Sequence, residues 1–515
     1  MRNTKWRSRL QFHAIALGIV ALAILFGQIV TLHQTPLFHL TSDSPRYFEG
    51  ATRILRGGPI STPLDTGGYS LFLVPFVLLN GTGHLTYIVY AQMLLMVLSV
   101  FEVYLLTYRI AGHRWIGVVV ASILALNVYV LDWEREIMTE ALAFWMIITV
   151  FLVFEHALRT SNNRWLVVAL LLAGLTVVER PLYVYVPAVL IVVLVYRAVR
   201  MRVVRATWKP ILIASTVGYG VIGLVILSNL INFGYGGISY VSNINMLGKI
   251  MEYHMENLAT TPQDMAISQQ ITAYLQTSPE TEPWHFLIAD PQYTNNYLAP
   301  ISRYASDIID HHPATFIGDG IPDIVLTLSA PPHDYAHVIK PTRLLNFMQN
   351  LSVDALLSYW LLPALALIAL IWMLFTPQDT RIVLLGSIAL LVGGDVIMSG
   401  ALTYQTILKS GFIYNEFYRM RVPCDWAMFL LTLVVPMMGI QALWQRCIGW
   451  LNQVALHAEP PNALNAETPT LVMPRIRLRQ PTEVMTMPFP ILPQVPEEIA
   501  TMPLPKVPKE GPPLP

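Results

Sequence analysis

Ten apolar stretches dictate what this chain can become: about 12–32, 87–108, 115–131, 137–158, 165–178, 182–197, 210–228, 355–375, 382–399 and 422–443. A hydrocarbon layer about 30 Å thick is crossed by roughly 20 helical residues, and each stretch reaches or approaches that length. The expected fold is therefore an all-α polytopic membrane protein, a bundle of about ten transmembrane helices. Composition agrees: 54% of the 515 residues are hydrophobic and 12% are charged, where soluble domains carry about 25% charged residues.

Charge decides orientation rather than partner class. Lys plus Arg (32) equals Asp plus Glu (32), so no global charge points to nucleic acid. The start "MRNTKWRSR" and the turns "YRIAGHRW", "LRTSNNRW" and "YRAVRMRVVRATWK" are basic, and all four share one side if the first helix leaves the cytoplasm. With an even number of spans, both termini are then expected in the cytoplasm, the chain lying in the plasma (inner) membrane. The first stretch reads as an anchor rather than a signal peptide, because no small-residue cleavage site follows it and residues 36–40 continue apolar. Cys424 and Cys447 fall near opposite ends of one stretch, which argues against a disulfide between them.

Four pieces are left on the outer side: 33–86, 132–136, 179–181 and 229–354. The last alternates polar helical patches with Pro-rich breaks, which predicts a small, mostly helical extracytoplasmic region without a strong core of its own. Residues 1–450 are expected to form the transmembrane domain. The tail 451–515 is punctuated by Pro throughout and is expected to be a disordered cytoplasmic appendage.

The stretch "TSDSPRYFEGATRILRGG" (41–58) places an acid where the first span ends. Ser44 as N-cap, Pro45 at the first helical position and Gly57 beyond the end predict a short helix. Tyr47, Phe48, Ala51, Ile54 and Leu55 would share one face, with Arg46, Glu49, Arg53 and Arg56 on the other, the pattern of an interfacial helix. A second is expected at 67–81, "GGYSLFLVPFVLLNG", too short to span. Asp43 then has two readings: an ordinary helix-start carboxylate serving free N–H groups, or a group at the membrane surface within reach of lipid head groups.

The next acids weigh on that choice. "DWEREIMTEALAFW" brings Asp132, Glu134, Glu136 and Glu140 to the same outer face, with Glu140 expected about one turn inside the fourth helix. An ionised carboxylate there needs a partner or a wet cavity; the other three acids read equally well as loop solvation. Arg180, Arg419 and Arg421 lie at outer helix ends, where Arg is disfavoured. Pairing with Glu179 or Glu416 would explain them, and so would a phosphate held by guanidinium donors.

At these residues the chain resembles the GT-C superfamily of membrane glycosyltransferases, in the branch of protein O-mannosyltransferases and lipid A aminoarabinose transferases. The family's acid, Arg-Tyr and second acid on an in-plane helix match Asp43, Arg46, Tyr47 and Glu49. Its Gly-Tyr entry to a second such helix matches Gly68 and Tyr69, with the expected prolines displaced, and its second-loop acid matches Glu140 in "MTEALAFW". "VVERPLYVYVP" is similar to the family's Thr-Arg-Pro turn with Glu179 in place of Thr. "NLINFGYGG", "IDHHPATF" and "YRMRVPCDW" resemble the segments that open the large loop, precede the next span and start a late helix.

The resemblance implies a sugar donor on a polyprenyl phosphate and an acceptor hydroxyl on a lipid, glycan or protein. It implies inverting transfer at the outer face, with Asp43 as general base and Glu140 as a second catalytic carboxylate. Arg46, Tyr47, Glu49, Tyr69, Glu136, Arg180, Arg419 and Arg421 would bind the donor phosphate or substrate. Some members of the superfamily use a divalent metal; no compact His, Asp and Glu set stands out here, and His311, His312, His333 and His337 read as surface or capping residues. Two other classes fit the same spans: a transporter or flippase of lipid-linked sugars, for which Glu102 and Asp395 within spans would speak, and an inactive relative serving as a scaffold.

Overall fold

The structure is a computed structural model describing residues 2–33, 37–41, 43–80, 85–278, 282–289, 291–293, 295–329, 342–356, 361–407, 413–415 and 417–457. The helices are α1 (Arg2–Leu32), α2 (Ser44–Leu55), α3 (Gly68–Asn80), α4 (Leu85–Ala111), α5 (Arg114–Ala125), α6 (Val128–Trp133), α7 (Glu140–Thr160), α8 (Asn163–Glu179), α9 (Tyr185–Arg200) and α10 (Val204–Phe233). There follow α11 (Val241–Glu252), α12 (Pro262–Thr277), α13 (Pro283–Ala289), α14 (Ala299–His311), α15 (Pro313–Ser329), α16 (Arg343–Leu356), α17 (Leu362–Phe375) and α18 (Thr380–Leu402). A two-stranded antiparallel hairpin, β1 (Gln405–Ile407) with β2 (Ile413–Asn415), precedes the short α19 (Phe417–Arg421) and the long α20 (Asp425–His457). Residues 1–449 form one compact unit; the residues beyond, described only to His457, form a second.

The chain is a predominantly helical membrane protein. Among the described residues, seven helices are long and apolar enough to cross a bilayer: Phe12–Leu32, Leu85–Ala111, Glu140–Thr160, Pro181–Arg200, Thr207–Phe233, Thr380–Leu402 and Arg419–Leu451. Their exposed apolar side chains, Leu224, Ile231 and Leu443 among them, suit a bundle whose surroundings are hydrocarbon. The other three stretches depart from the expectation. Residues 115–131 are not one helix: Asn127 ends α5 and caps α6, its side chain accepting from the N–H groups of Tyr129 and Val130. Stretch 165–178 becomes the 17-residue α8 and 355–375 the 14-residue α17, with 357–360 outside the described residues.

The core centres on α7, which packs on α4 and α8 through fully buried Phe144, Phe151 and Phe154; the Phe151 ring meets Trp426 of α20 edge-on at 5.9 Å. The helix also separates two chemically different ends. At one, basic turns cluster: Arg109 pairs with Glu155 at 2.6 Å, Arg159 with the same carboxylate at 3.2 Å, and Arg114 covers Phe12 at 5.7 Å. At the other lie Glu140, the turn after α6 and the 41–58 segment, about 30 Å away along 21 residues of helix.

Both short helices of the 41–81 segment form where the spacing predicts, α2 burying Tyr47 and Ala51 against α3. Gly57, at φ +78°, ends the first of them in the left-handed region. The 229–354 region corrects one expectation. Helices α11 to α14 enclose their own apolar cluster, with Ile244, Leu247, Ile250, Ile271, Phe286, Tyr304 and Ile308 all buried. α15 then returns to pack on α18. Apart from the α20 residues up to His457, the Pro-rich tail lies outside the described residues.

Candidate active site

Asp43 stands at the cap position of α2, yet its side chain makes no capping hydrogen bond. The expected cap residue, Ser44, is instead the first helical residue; its Oγ donates to the Ile137 carbonyl at 3.0 Å and accepts from the Thr41 N–H at 2.9 Å. The strand-like segment before it aligns with the turn after α6, His39 N–H donating to the Arg135 carbonyl at 3.0 Å and Ile137 N–H to the His39 carbonyl at 3.1 Å. These bonds bring the 41–58 segment to the start of α7. The Asp43 carboxylate is thereby released from backbone duty and meets cations: Arg419 Nη2 lies 3.1 Å from Oδ2 and Arg46 Nη2 3.7 Å from Oδ1.

Glu140 is the first residue of α7, not one turn inside it, because Thr139 occupies the cap position. A helix start favours a carboxylate, but this one is fully buried and needs more. Its Oε1 accepts from Arg419 Nε at 2.7 Å and faces Arg180 Nη1 at 3.2 Å. One guanidinium, Arg419, therefore spans both predicted carboxylates. Arg180 reaches the site because Pro181 follows it, holding it extended at the end of α8 (φ −150°, ψ 114°). Its ion pair is with Glu140, and neighbouring Glu179 is buried with neither carboxylate oxygen hydrogen-bonded among the described residues. Glu416, the partner considered for Arg419 and Arg421, lies outside the described residues.

Electrostatics follow from these contacts. Arg46, Arg180 and Arg419 against Asp43 and Glu140 leave one excess positive charge. Burial pushes the Asp43 carboxyl up, but Arg419 and Arg46 outweigh it and hold the group below the usual carboxylate range. It is ionised at neutral pH, and its side chain remains 30% exposed. Tyr47, buried, is pushed up to about 12, chiefly by desolvation; its hydroxyl accepts from Arg46 Nη2 at 3.0 Å.

The other predicted residues divide. Tyr69 stacks edge-on against Tyr47 at 5.0 Å, and its hydroxyl donates to Gln92 Oε1. Gln92 in turn donates to the carbonyls of Glu134 (2.9 Å) and Glu136 (2.6 Å), so Tyr69 braces the acidic turn. Glu136 is buried beside the cluster. Desolvation, then Asp132 and Glu140, push its carboxyl up to about 8 against the pull of Arg419. Asp132 and Glu134 are buried too, which removes the loop-solvation reading; Glu134 accepts from Gln28 Nε2 at 2.5 Å. Glu49 is exposed on the far face of α2. Arg421 turns away, donating to Asp425 Oδ1 at 3.0 Å and to the Thr327 and Leu328 carbonyls of α15 at 2.5 and 3.2 Å.

Two participants escape a reading by charge and motif. Trp133 lies under the Arg419 guanidinium at 5.9 Å, and Gln92 ties the turn to α3. A glutamine in the middle of an apolar span is itself a sequence signal, since lipid does not tolerate an unpaired amide. The histidines stay apart: His311 engages the Asp307 carbonyl of its own helix at 2.7 Å, and His333 and His337 lie outside the described residues. The site does not fit the divalent metal that the resemblance leaves room for. Both carboxylates are bound by Arg419, and among the described residues no three His, Cys, Asp or Glu side chains converge to hold an ion. Compared with models of known protein families and with curated protein sequences, the chain matches none.

Proposed function

We propose that this protein is a membrane glycosyltransferase of the GT-C type, moving a sugar from a polyprenyl-phosphate donor to an acceptor hydroxyl at the non-cytoplasmic surface. The observation that carries the reading is Arg419, whose guanidinium bonds Glu140 at 2.7 Å and Asp43 at 3.1 Å within a cluster of net positive charge. Such a cluster suits a leaving phosphate, and the half-open Asp43 suits an incoming alcohol.

In this mechanism the lipid phosphate binds Arg419, Arg180 and Arg46. As Arg419 turns toward the phosphate, Asp43 loses its strongest cationic partner and becomes a better base. The acceptor oxygen then attacks the anomeric carbon while its proton passes to Asp43. The anomeric C–O bond breaks with its electron pair going to the phosphate, and the configuration inverts. Glu140 stays buried and holds Arg180 and Arg419 in place. Tyr47 and Tyr69 brace α2 and α3, and Glu136, neutral at the pH of its surroundings, contributes no charge against the phosphate.

The bundle would cross the membrane ten times, with α8 and α17 as short crossings and α5 with α6 as a broken one. Backbone interrupted at Asn127 is tolerated where protein buries it, and Asn127 is fully buried. The basic end would be cytoplasmic, with both termini there. The transporter reading draws little from the acids within spans: Glu102 accepts from Thr149 Oγ1 at 2.9 Å and Asp395 from Tyr185 at 3.0 Å, each a local tie between helices.

Turnover of radiolabelled polyprenyl-phosphate sugars by wild type beside Asp43→Asn tests the proposal. Transfer is expected to vanish in the variant with its fold intact. Equal turnover removes Asp43 from the mechanism, and movement of the donor across proteoliposomes without product favours a transporter.

A further inference from the structure

The helix that carries Arg419 is held by the chain at one end only. α19 has five residues and continues through a 3₁₀ turn (Val422–Cys424) into α20; so short a stretch is not stable alone, and the end that carries Phe417 is oriented by what it touches. Residues two apart on a helix point about 200° away from each other. Arg419 faces Asp43 and Glu140, and Phe417, fully buried, faces the opposite way.

What Phe417 meets there is a lysine. Lys249 of α11 is fully buried, with its ammonium 4.8 Å from the Phe417 ring centroid and 4.9 Å from that of Tyr253. Its Nζ donates to Asp323 of α15 and, at 3.1 Å, to Glu252. Asp323 also accepts from the Tyr253 hydroxyl and, at 3.1 Å, from Gln405 Nε2 of β1, while Glu252 accepts the Gln405 N–H at 3.2 Å. The far end of α19 rests on the same helix α15, through Arg421 on the Thr327 carbonyl, with Thr327 Oγ1 donating to the Asp323 carbonyl at 2.7 Å. A buried ion pair is seldom the most stable filling for a core, and its attested use is to select one arrangement.

We infer that Lys249 and Asp323 are a positioning pair: through Phe417 they fix α19, so that the α11–α15 region sets how firmly Arg419 meets the donor phosphate. The inference rests on the phosphate-binding role proposed above for Arg419. Neither residue touches the reacting groups. They act through the aromatic ring that backs the helix.

The test uses the full chain in nanodiscs, with Lys249→Met, Lys249→Arg and Phe417→Leu beside wild type. Phe417→Leu leaves the ion pair intact and keeps the question answerable if Lys249→Met fails to fold. Donor KM and the Kd for sugar-free undecaprenyl phosphate are expected to rise roughly tenfold in Lys249→Met and Phe417→Leu, with acceptor KM unchanged and Lys249→Arg near wild type. Unchanged probe binding in Phe417→Leu, or an equal rise in both KM values, overturns the inference. Hydrogen exchange across 417–424 provides a readout that needs no substrate. If wild type does not bind the lipid phosphate, the proposed function falls, while faster exchange in Phe417→Leu still supports the pin and unaltered exchange refutes it.

Discussion

Replacing Glu140 by Gln removes a charge and almost no volume, and its cost can be worked from the contacts. Oε1 takes Arg419 Nε at 2.7 Å and lies 3.2 Å from Arg180 Nη1, with the carboxylate 0% exposed and the two guanidiniums 10% and 9%. Hydrogen bonds to charged groups contribute about 1.5–3 kcal/mol each and neutral ones about 1 kcal/mol. Exchanging the one hydrogen bond, from Arg419, for a neutral one therefore costs about 0.5–2 kcal/mol. The Arg180 ion pair is lost with it and two nearly buried cations are left to Asp43 alone, which raises the expected loss toward the ~3–5 kcal/mol of a broken buried pair. Reversible unfolding in detergent near neutral pH measures it, and a cycle adding Arg419→Gln is expected to show coupling of about 1–3 kcal/mol. Because the pair is shielded from solvent, raising the salt concentration should leave the difference unchanged. A cost under about 0.5 kcal/mol, or additive effects within that margin, refutes the claim that Glu140 holds the two guanidiniums.

Other consequences are equally direct. Glu134 and Glu136 are each pushed up to about 8 from an ordinary 4.5; a raised carboxyl contributes stability that is complete below the unfolded value and lost as pH rises through the folded one. Thermal stability should thus fall between pH about 5 and about 8, and Glu136→Gln should flatten that fall; parallel profiles would contradict the assignment. A Cβ at Gly68 would sit 2.6 Å from Glu179 Cα and 2.8 Å from its N, so Gly68→Ala is expected to force α3 off α8 and cost about 1–3 kcal/mol, readable by thermal denaturation. For orientation, cysteine placed at Thr160, the last residue of α7, and at Thr260, both exposed, should react with an impermeant reagent from outside at the second position only. Labelling at both, or at the first alone, would reverse the proposed topology.

Much of the architecture was legible because hydrophobic length acts locally. The short helices α2 and α3 lie where the amphipathic and Gly-bounded patterns place them, and seven of the ten apolar stretches coincide with helices long enough to span. The failures have physical causes. Asn127, a polar residue among apolar neighbours, turns its side chain to its own backbone and breaks the 115–131 stretch. The acids at 132–136 look like a solvated turn, yet they are buried, because packing from distant segments decides what water reaches. The 234–329 region gathers a core of its own from apolar residues too dispersed for one helix to reveal.

The candidate site divides the same way. Residue types and order alone single out Asp43, Glu140, Arg180 and Arg419, since charge at an apolar boundary demands a partner or a purpose. Only the tertiary structure decides that Asp43 faces Arg419 rather than its own helix N–H groups, that Glu140 gathers two guanidiniums, and that Arg421, two residues from Arg419, points elsewhere. Which stretches are long and apolar enough to form membrane helices is set by neighbours along the chain and is written in the sequence. The pairing of charges some 279 positions apart depends on the angle and register at which helices pack, and those arise only when the whole bundle closes.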